Sequence, residues 1–416
     1  MKLTKSRVEG FPIPAAGQSL HWDDQLRGFG VRITPSGARS YIVQGRVAGK
    51  SRRVTLGAHG RLTCDEARKR AKAELVAMDD GVDPRIAKKR EESLAVTLQD
   101  IATVYSRERR TKKGGELTAA TKKDITRHMR KSFGDWADKP VASITRDMCS
   151  SRFSELSATG PTQANQAFRI LRALLNYARE AYRPGGVPIL LENPVDVVSG
   201  KKMWNPSNAK NTRIPLESVG AVWNLLQDRR TSPAVLPIGQ TGADIITFIL
   251  LTGCRWSEAA ALTWDCVNLD DASWHQPDPK NHNPVTCPLS APALSLLKAR
   301  PRIKGNDYVF PARGKAGHMN DARFTMAEVS KVAGVHLSPH DLRRSFIAIG
   351  IKCKIEMWKL KLLTNHISKG DVTLDHYTET SDLRYLGNEA EQIAAWIESQ
   401  GAIAAAGNVL QLRGAA

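Results

Sequence analysis

This chain of 416 residues begins with alternating apolar and polar residues and continues with mainly helical spacing, and no other feature constrains its fold as strongly. Up to residue 57, apolar and polar residues alternate in three segments, GFGVRITP, ARSYIVQGRV and SRRVTLG. The turn-forming residues Pro35-Ser36-Gly37 and Ala48-Gly49-Lys50 separate these segments. Alternation interrupted by turn residues predicts a three-stranded meander. A small β-rich module is therefore expected at the start of the chain.

Helical spacing follows this alternation. Thr63 and Glu66 form a capping-box pattern, which predicts a helix that closes at Gly81. From Thr97 the pattern stays helical, and the last helix of this region is PTQANQAFRILRALLNYAREAY. The preceding segments are LQDIATVYSRE, TAATKKDITRHMRKSFGDW and one that opens at Ile144. Four helices are therefore predicted between residues 97 and 182.

The second half of the chain also reads as mainly helical. The apolar run IITFILL predicts a buried helix, because Gly253 follows it and a new helix begins near Arg255. Residues 273–289 have the pattern of a β-hairpin. The expected fold class is mainly α with small β-sheets.

One helix start can be interpreted residue by residue. In SPHDLRRSF, Ser338 suits the N-cap, Pro339 the first helical position and Asp341 the capping box. His340 and Arg343 then share one face, which is held toward solvent or a ligand. The residues that anchor another face in a core are Leu342, Phe346 and Ile349. A position near a helix N-terminus favours an anion such as phosphate.

The net charge points to a polyanionic partner. The chain carries 61 Lys and Arg against 42 Asp and Glu, a formal net charge of +19, and most of the excess lies before residue 213. DNA is the natural partner for such a surface, and counterion release would make its binding steeply dependent on salt. A merely basic soluble protein is the alternative on charge alone.

Other features exclude membrane proteins and disulfide-rich or zinc-binding proteins. The longest apolar run, residues 243–251, is too short to span a bilayer, and the start MKLTKSRVEGFP has no apolar signal region. The six cysteines form no CxxC pair and lie among apolar positions. We therefore expect a cytoplasmic protein with reduced thiols and no metal site.

Six positions form a pattern that resembles the active site of tyrosine recombinases, the phage-integrase family. LLTGCRWSEAAALTW matches the family pattern TGxRxxE, and DPKNHNPVTCPLS has a lysine where the family keeps one on a β-hairpin. SPHDLRRSF and LLTNHISKGDVTLDHYTE supply the remaining positions. The candidate catalytic residues are Arg255, Lys280, His340, Arg343, His366 and Tyr377. Each alone has an ordinary interpretation in packing or on the surface, but six in this order are hard to obtain by accident.

The chemistry of phosphodiester transfer requires these residue types. Positive charge must stabilise the non-bridging oxygens as phosphorus becomes five-coordinate. An arginine can donate hydrogen bonds to two oxygens at once, and Arg255 and Arg343 are the candidates for this role. A tyrosine hydroxyl, with a pKa of about 10, needs nearby cations and a proton acceptor. The resemblance implies Tyr377 as nucleophile and Lys280 as general acid for the leaving 5′ oxygen. His340 is the candidate proton acceptor, and His366 a hydrogen-bond donor to the phosphate. No cofactor is required, neither ATP nor metal, because one ester replaces another.

Some positions depart from the family pattern. The family commonly has Leu-Gly-His where this chain has Thr364-Asn365-His366, and the distance from His366 to Tyr377 exceeds the common spacing. Tyr385 is a rival nucleophile, although DLRYLGNEA lacks the threonine-rich approach that precedes Tyr377. His376 is interpreted as a surface histidine beside the tyrosine.

The resemblance also implies a domain organisation. Residues 1–92 are similar to the N-terminal arm-binding domain of prophage and genomic-island integrases, and 93–200 resemble the family's helical core-binding domain. A linker at 201–212, the catalytic domain at 213–390 and a C-terminal tail at 391–416 follow. The tail could dock on a neighbouring protomer, close its own domain, or fray.

Both DNA-binding domains are expected to contact DNA through basic side chains. In the arm-binding domain the candidate residues are Arg39, Arg46, Lys50, Arg52 and Arg53. In the core-binding domain they are Lys122, Lys123, Arg127 and Arg130. A solvated surface position is the alternative for any one of them.

The function implied by the resemblance is site-specific recombination that integrates, and with a helper excises, a mobile element such as a prophage. Four protomers would act on two duplexes that carry arm-type and core-type sites, with an excisionase and a host DNA-bending protein as further partners. Such a protein would be prokaryotic and nucleoid-associated. Two alternatives remain: a type IB topoisomerase-like relaxase that uses the same residues without synapsis, and a non-catalytic DNA-binding regulator that keeps the fold.

Overall fold

The computed structural model describes residues 1–111, 114–206, 210–279, 283–366 and 379–413, with side chains up to residue 407. The chain divides into two compact units, Met1–Asn208 and Ala209–Ala416. Each unit has its own hydrophobic core, and the first unit has two. The predicted class, mainly α with small β-sheets, is confirmed.

An antiparallel sheet in the order β1-β2-β3-β4 opens the first unit. Its strands are β1 (Ser19–Trp22), β2 (Phe29–Ile33), β3 (Arg39–Val47) and β4 (Lys50–Ala58), and α1 (Lys5–Gly10) precedes it. The meander predicted from the sequence is β2 to β4. The strand β1 was not predicted, and it pairs with β2 from Ser19 opposite Ile33 to Trp22 opposite Gly30.

A helix covers one face of this sheet. The helix α2 (Cys64–Asp79) begins with the predicted capping box of Thr63 and Glu66. Its buried residues Ala67 and Ala71 pack against the core that the sheet contributes, because small side chains let the helix approach closely. The sheet residues of that core are Phe29, Val31, Tyr41, Val43 and Val47. The helix α3 (Pro84–Leu94) follows.

The second part of this unit is a helical bundle. It contains α4 (Leu98–Glu108), α5 (Ala119–Ser132), α6 (Arg146–Thr159), α7 (Pro161–Ala181) and the short α8 (Asp196–Gly200). Phe168 of α7 packs edge to face on Phe153 of α6, with ring centroids 4.9 Å apart. The four helices predicted from residue 97 onward are confirmed.

The segment after α8 is attached to this bundle. The Asn165 amide donates to the Asn205 carbonyl at 2.9 Å, and the Asn205 backbone N–H donates to the Asn165 side-chain oxygen at 3.1 Å. Trp204 packs against Phe153 with ring centroids 5.6 Å apart. Residues 203–205 of the predicted linker thus pack as part of the first unit.

The second unit surrounds one apolar helix, α10 (Pro237–Thr252), of which residues 241–252 are all buried. This helix contains IITFILL and confirms the predicted buried helix. The helices around it are α9 (Val219–Thr231), α11 (Trp256–Ala260), α12 (Ala291–Ala299), α13 (Arg323–Ala333), α14 (Pro339–Lys352), α15 (Met357–Leu363) and α16 (Gly387–Arg413). A second antiparallel sheet contains β5 (Val267–Asn268), β6 (Ser273–Gln276) and β7 (Val285–Pro288), and β6 and β7 form the predicted hairpin.

The helix α16 packs within its own unit. Ile393, Ala394 and Ile397 are fully buried in the core. The Asn224 amide of α9 donates to the Gly401 carbonyl at 2.9 Å. Of the three alternatives for the tail, the structure favours closure of its own domain as far as residue 401.

Within the described ranges, no helix is both long and apolar enough to cross a membrane.

Candidate active site

A glycine turn brings the end of α10 against α14 and α15. Gly253 caps α10 with a left-handed φ of 65°, and its N–H donates to the Ile249 carbonyl at 2.8 Å. A Cβ at this position would lie 2.9 Å from the Thr364 methyl and closer still to the Phe346 ring. Glycine is therefore required both for the backbone conformation and for close packing. The turn places Arg255 at the start of α11.

Glu258 holds Arg255 at two points. The carboxylate accepts from the Arg255 backbone N–H at 2.8 Å and from its guanidinium at 2.6 Å. The Glu258 side chain is 8% exposed and that of Arg255 18%. The other end of the guanidinium donates to the Asn365 carbonyl at 3.4 Å. The spacing Arg-x-x-Glu thus fixes the orientation of the arginine.

The helix α14 begins as predicted. The Ser338 hydroxyl and backbone N–H both donate to the Asp341 carboxylate, at 2.6 and 2.8 Å. Asp341 also pairs with Arg344 one turn later. This network holds the pKa of the Asp341 carboxyl below its usual range in spite of its burial. Within the same first turn, His340 is exposed.

Arg343 is buried, although the sequence pattern placed it on a face held toward solvent or a ligand. Only 4% of it is accessible, and its guanidinium donates to the Gly253 carbonyl at 3.0 Å and to the Thr364 carbonyl. Burial, followed by the charge of Arg255, lowers its pKa to about 10, so the side chain remains charged at neutral pH. A buried cation that faces a second cation favours an anionic ligand.

The residues before His366 form a tight helix end. Thr364 is the C-cap of α15, and Asn365 follows with a left-handed φ of 46°. The Asn365 N–H donates to the Leu362 carbonyl and the His366 N–H to the Lys361 carbonyl, each at 2.7 Å. These two bonds define a Schellman motif. Asparagine tolerates the left-handed conformation, so it is compatible with a turn at which the family commonly has glycine.

Electrostatic contacts group four of the six predicted catalytic residues. Partial desolvation lowers the pKa of His340, and Arg344, Arg343 and Arg255 lower it further. Desolvation also lowers the pKa of His366, with Arg343 and Arg255 adding to the effect. Both imidazoles are therefore mostly neutral at pH 7.

The other two predicted catalytic residues, Lys280 and Tyr377, lie outside the described residues, as does His376. The rival nucleophile Tyr385 is described. Its hydroxyl donates to the Glu379 carbonyl at 3.0 Å, and its pKa is raised by desolvation and by the negative charge of Glu379. A raised pKa opposes the ionisation that a tyrosine nucleophile needs.

The predicted DNA-contacting residues of the sheet differ in their surroundings. Arg39 donates to the carbonyls of Val8, Glu9, Phe11 and Gly37 at 2.9 to 3.2 Å, which ties the end of α1 to β3. Arg52 pairs with Asp83 at 2.5 Å. Arg53 is exposed, donates to Gln44 at 2.8 Å and lies over the Trp22 ring. Arg46 and Lys50 are exposed near the β3–β4 turn.

The four predicted contacts in the helical bundle lie on α5. Lys123 and Arg130 are exposed. Lys122 pairs with Glu116 at 2.9 Å, and Arg127 pairs with Asp124 at 2.9 Å and donates to Gln163 at 3.0 Å. Exposed and partly exposed cations therefore follow this helix.

Three contributors to the site were given no role in the sequence analysis. Glu258 was part of the matched pattern without a role of its own. The carbonyls of Thr364 and Asn365, both buried, accept from the two arginines. The signal that could have identified Asn365 is the replacement of a family glycine by one of the few residues that adopt a positive φ.

A helical domain with a β-hairpin that groups two arginines and two histidines around one helix end defines the tyrosine recombinase class. The model described as "Phage integrase family" matches residues 232–384, and the one described as "Arm DNA-binding domain" matches residues 3–91. Residues 232–384 thus match the phage integrase family, and the chain is a site-specific tyrosine recombinase with an N-terminal arm-binding domain.

Relatives in sequence agree with this assignment, and a solved structure shares the fold. Prophage integrase IntF of Escherichia coli K12 is 24% identical over 98% of this chain and 93% of its own length. Prophage integrase IntZ of the same strain is 23% identical over 70% of each chain. The Tn1549 transposon integrase, solved in complex with a circular intermediate DNA, has a TM-score of 0.50 and 18% identity over 68% of this chain and 95% of its own.

Proposed function

We propose that this recombinase cleaves and rejoins DNA through a 3′-phosphotyrosine intermediate formed by Tyr377, and that it integrates a mobile element. The observation that carries the proposal is the arrangement of Arg255 and Arg343. Both guanidinium groups are held by protein oxygens at the same helix end, and each lies within electrostatic reach of His340 and His366. Such a cluster fits a phosphate in the act of transfer.

The two arginines stabilise the pentavalent phosphorus. Two of the five N–H donors of Arg343 bind carbonyls, which fixes the plane of the guanidinium before the substrate arrives. Its remaining donors, together with those of Arg255, bind the non-bridging oxygens, whose negative charge grows in the transition state. Because the donors are already oriented, little reorganisation is needed during the reaction.

Proton transfers complete the reaction. A neutral His340 accepts the proton of the Tyr377 hydroxyl as its oxygen attacks phosphorus, and His366 donates a hydrogen bond to a non-bridging oxygen. The P–O5′ bond breaks, and the leaving oxygen takes a proton from Lys280. Religation reverses these steps with a new 5′ hydroxyl. The lowered pKa of His340 supports its role as acceptor, since an imidazole that is already protonated accepts nothing.

We further propose that the protein acts as a homotetramer on two duplexes, because exchange of four strands requires four nucleophiles. The arm-binding domain would hold arm-type sites and the helical bundle core-type sites. The predicted contacts Arg46, Lys50, Lys123 and Arg130 are exposed and available to phosphates. An excisionase and a host DNA-bending protein are proposed as partners for excision.

Covalent trapping tests this function. The substrates are duplexes nicked near the scissile phosphate and drawn from a randomised pool, so that a short 5′-hydroxyl fragment diffuses away and the adduct accumulates. We expect the wild type to form a denaturation-resistant protein–DNA adduct in the presence of EDTA, and Tyr377→Phe to form none. An adduct that persists in Tyr377→Phe would identify another nucleophile, and Tyr385→Phe would then be tested.

The nicked duplexes, together with supercoiled DNA and pairs of intact duplexes that carry the captured site, separate the two alternatives. A non-catalytic regulator would bind DNA in a salt-sensitive manner and form no adduct. A relaxase would relax supercoiled DNA without joining two duplexes, whereas a recombinase yields joined products from two captured sites. The arm-binding domain favours recombination, because a relaxase has little need to bind distant sites.

A further inference from the structure

Asn365 contacts several parts of the site. Its carbonyl accepts from Arg255 at 3.4 Å, its backbone forms the Schellman turn before His366, and its side-chain amide donates to the Asn283 carbonyl at 3.3 Å. The residue is only 2% exposed. Its neighbour Thr364 supplies the carbonyl that Arg343 binds.

The turn alone does not require the amide. At a φ of 46° glycine is the least strained residue, and it would retain the backbone carbonyl and both Schellman hydrogen bonds. Asparagine adopts this conformation with some strain, and here its side chain is buried and directed at another segment. Because the turn does not require this buried side chain, we infer that its function lies in the hydrogen bond to Asn283.

The contact reaches the loop of the β6–β7 hairpin. Asn283 lies two residues before β7 and three residues after Lys280 in the sequence. The amide therefore connects the helix end that carries His366 with the segment that carries the candidate general acid.

We propose that Asn365 is a positioning residue for the leaving-group step: by holding Asn283, its amide sets Lys280 against the departing 5′ oxygen. This inference rests on the proposed function. In the step concerned, the Tyr377 oxygen forms a bond to phosphorus, the P–O5′ bond breaks, and the 5′ oxygen takes the Lys280 proton. Asn365 itself touches none of the reacting atoms.

A substrate that needs no general acid isolates this role. When sulfur replaces the bridging 5′ oxygen, the leaving group departs as a thiolate, which is stable without protonation at neutral pH because thiols are much more acidic than alcohols. A defect in Lys280 positioning should therefore appear with the oxygen substrate and vanish with the sulfur substrate. A defect in the arginines or in folding should appear with both.

The experiment compares cleavage rates on these two substrates, using a nicked duplex captured by the wild type. Asn365→Gly removes the amide and keeps the turn, and Asn365→Asp keeps the size but replaces the donor by an acceptor. We expect both variants to cleave the oxygen substrate about 10- to 100-fold more slowly and the sulfur substrate within about threefold of the wild type. In the Lys280→Met background, Asn365→Gly should cause no further loss, because the two changes affect the same step.

A matched control exists in the same unit. Lys354 follows α14 in an equivalent Schellman turn, with a φ of 61° and an exposed side chain. Lys354→Gly should leave both rates unchanged, so that any effect of a glycine in such a turn is measured separately. Equal slowing of Asn365→Gly and Asn365→Asp on both substrates, or wild-type rates on both, would overturn the inference. If the wild type forms no adduct with either substrate, the proposed function itself fails.

Discussion

Arg343 donates a hydrogen bond from Nη1 to the carbonyl of Gly253, 3.0 Å away and 90 residues earlier in the chain. Through this bond the second arginine of the site is held by the turn that carries the first. Gly253 precedes Arg255 by two residues, so the two cations are set relative to each other by backbone and not by surface side chains. Rigid placement of this kind is what a transition state with charge on several oxygens requires.

The first prediction concerns the replacement of Arg343 by lysine. Arg343→Lys keeps a positive charge but cannot hold two carbonyls and two phosphate oxygens in one plane. We expect DNA affinity close to that of the wild type and a cleavage rate about 100- to 1,000-fold lower. Mobility-shift titration measures the affinity, and the rate of adduct formation on a nicked duplex measures cleavage.

A matched control for that substitution is Arg323→Lys, at an exposed position of α13 that pairs only with nearby Asp321 among the described residues. Its cleavage rate should equal that of the wild type. Full cleavage by Arg343→Lys would contradict the bidentate role of the buried guanidinium.

A second prediction concerns the turn itself. Gly253→Ala places a Cβ against Phe346 and Thr364 in a left-handed conformation. The conformational strain costs roughly 1–2 kcal/mol, and the overpacking costs about 1–3 kcal/mol more. We expect the free energy of unfolding, measured with urea, to fall by the sum of the two.

Gly334 separates these two contributions. It caps α13 with a φ of 71°, and a Cβ there meets no heavy atom within 4 Å. Gly334→Ala should therefore show the conformational strain alone. Equal losses of stability in the two variants would mean that the contacts of Gly253 with Phe346 and Thr364 carry no packing energy.

Local features of this fold could be predicted from the sequence because they depend on residues close together in the chain. The capping boxes at Thr63 and Ser338 each involve a partner three residues away, and the buried helix containing IITFILL follows from its continuous apolar run. The strand β1 was missed because SLHW has only four residues and pairs mainly through its backbone with β2.

The parts of the site that could not be predicted depend on contacts between distant segments. The polar face of α14 indicated that Arg343 points to solvent or a ligand, but carbonyls 90 and 21 residues away bury it. Arg39 likewise binds carbonyls about 30 residues earlier, which charge patterning in a strand cannot indicate. The roles assigned to the six catalytic residues and the nine DNA-contacting residues remain predictions.

A third prediction follows from the histidines. The pKa of His340 lies below its ordinary value of 6.5, so the neutral form, which is the proposed acceptor of the tyrosine proton, dominates at pH 7. Cleavage should thus be independent of pH at values well above 6.5, as far as this group is concerned. It should fall as the pH drops through the lowered pKa and the imidazole becomes protonated.

Removing a charge close to His340 should move the acid limb of the pH–rate profile, where cleavage falls as the pH drops, in a known direction. Arg344 is the largest single charge effect on His340, and Arg344→Gln should raise the histidine pKa. The acid limb of the rate profile then shifts to higher pH, whereas His340→Gln lowers the rate and abolishes the limb. An acid limb that stays in place in Arg344→Gln would assign it to a different group.

The last prediction separates structural from DNA-contacting arginines in the arm-binding domain. Arg39→Ala removes donors to four carbonyls and should lower the free energy of unfolding by about 2 kcal/mol or more. Arg46→Ala, at an exposed position of the same strand, should change stability by less than about 0.5 kcal/mol. In DNA binding the expectation is reversed: Arg46→Ala should reduce the slope of log affinity against log salt by about one. An unchanged salt slope in Arg46→Ala would show that Arg46 contacts no phosphate, because a protein that makes one ionic contact fewer releases fewer counterions when it binds DNA.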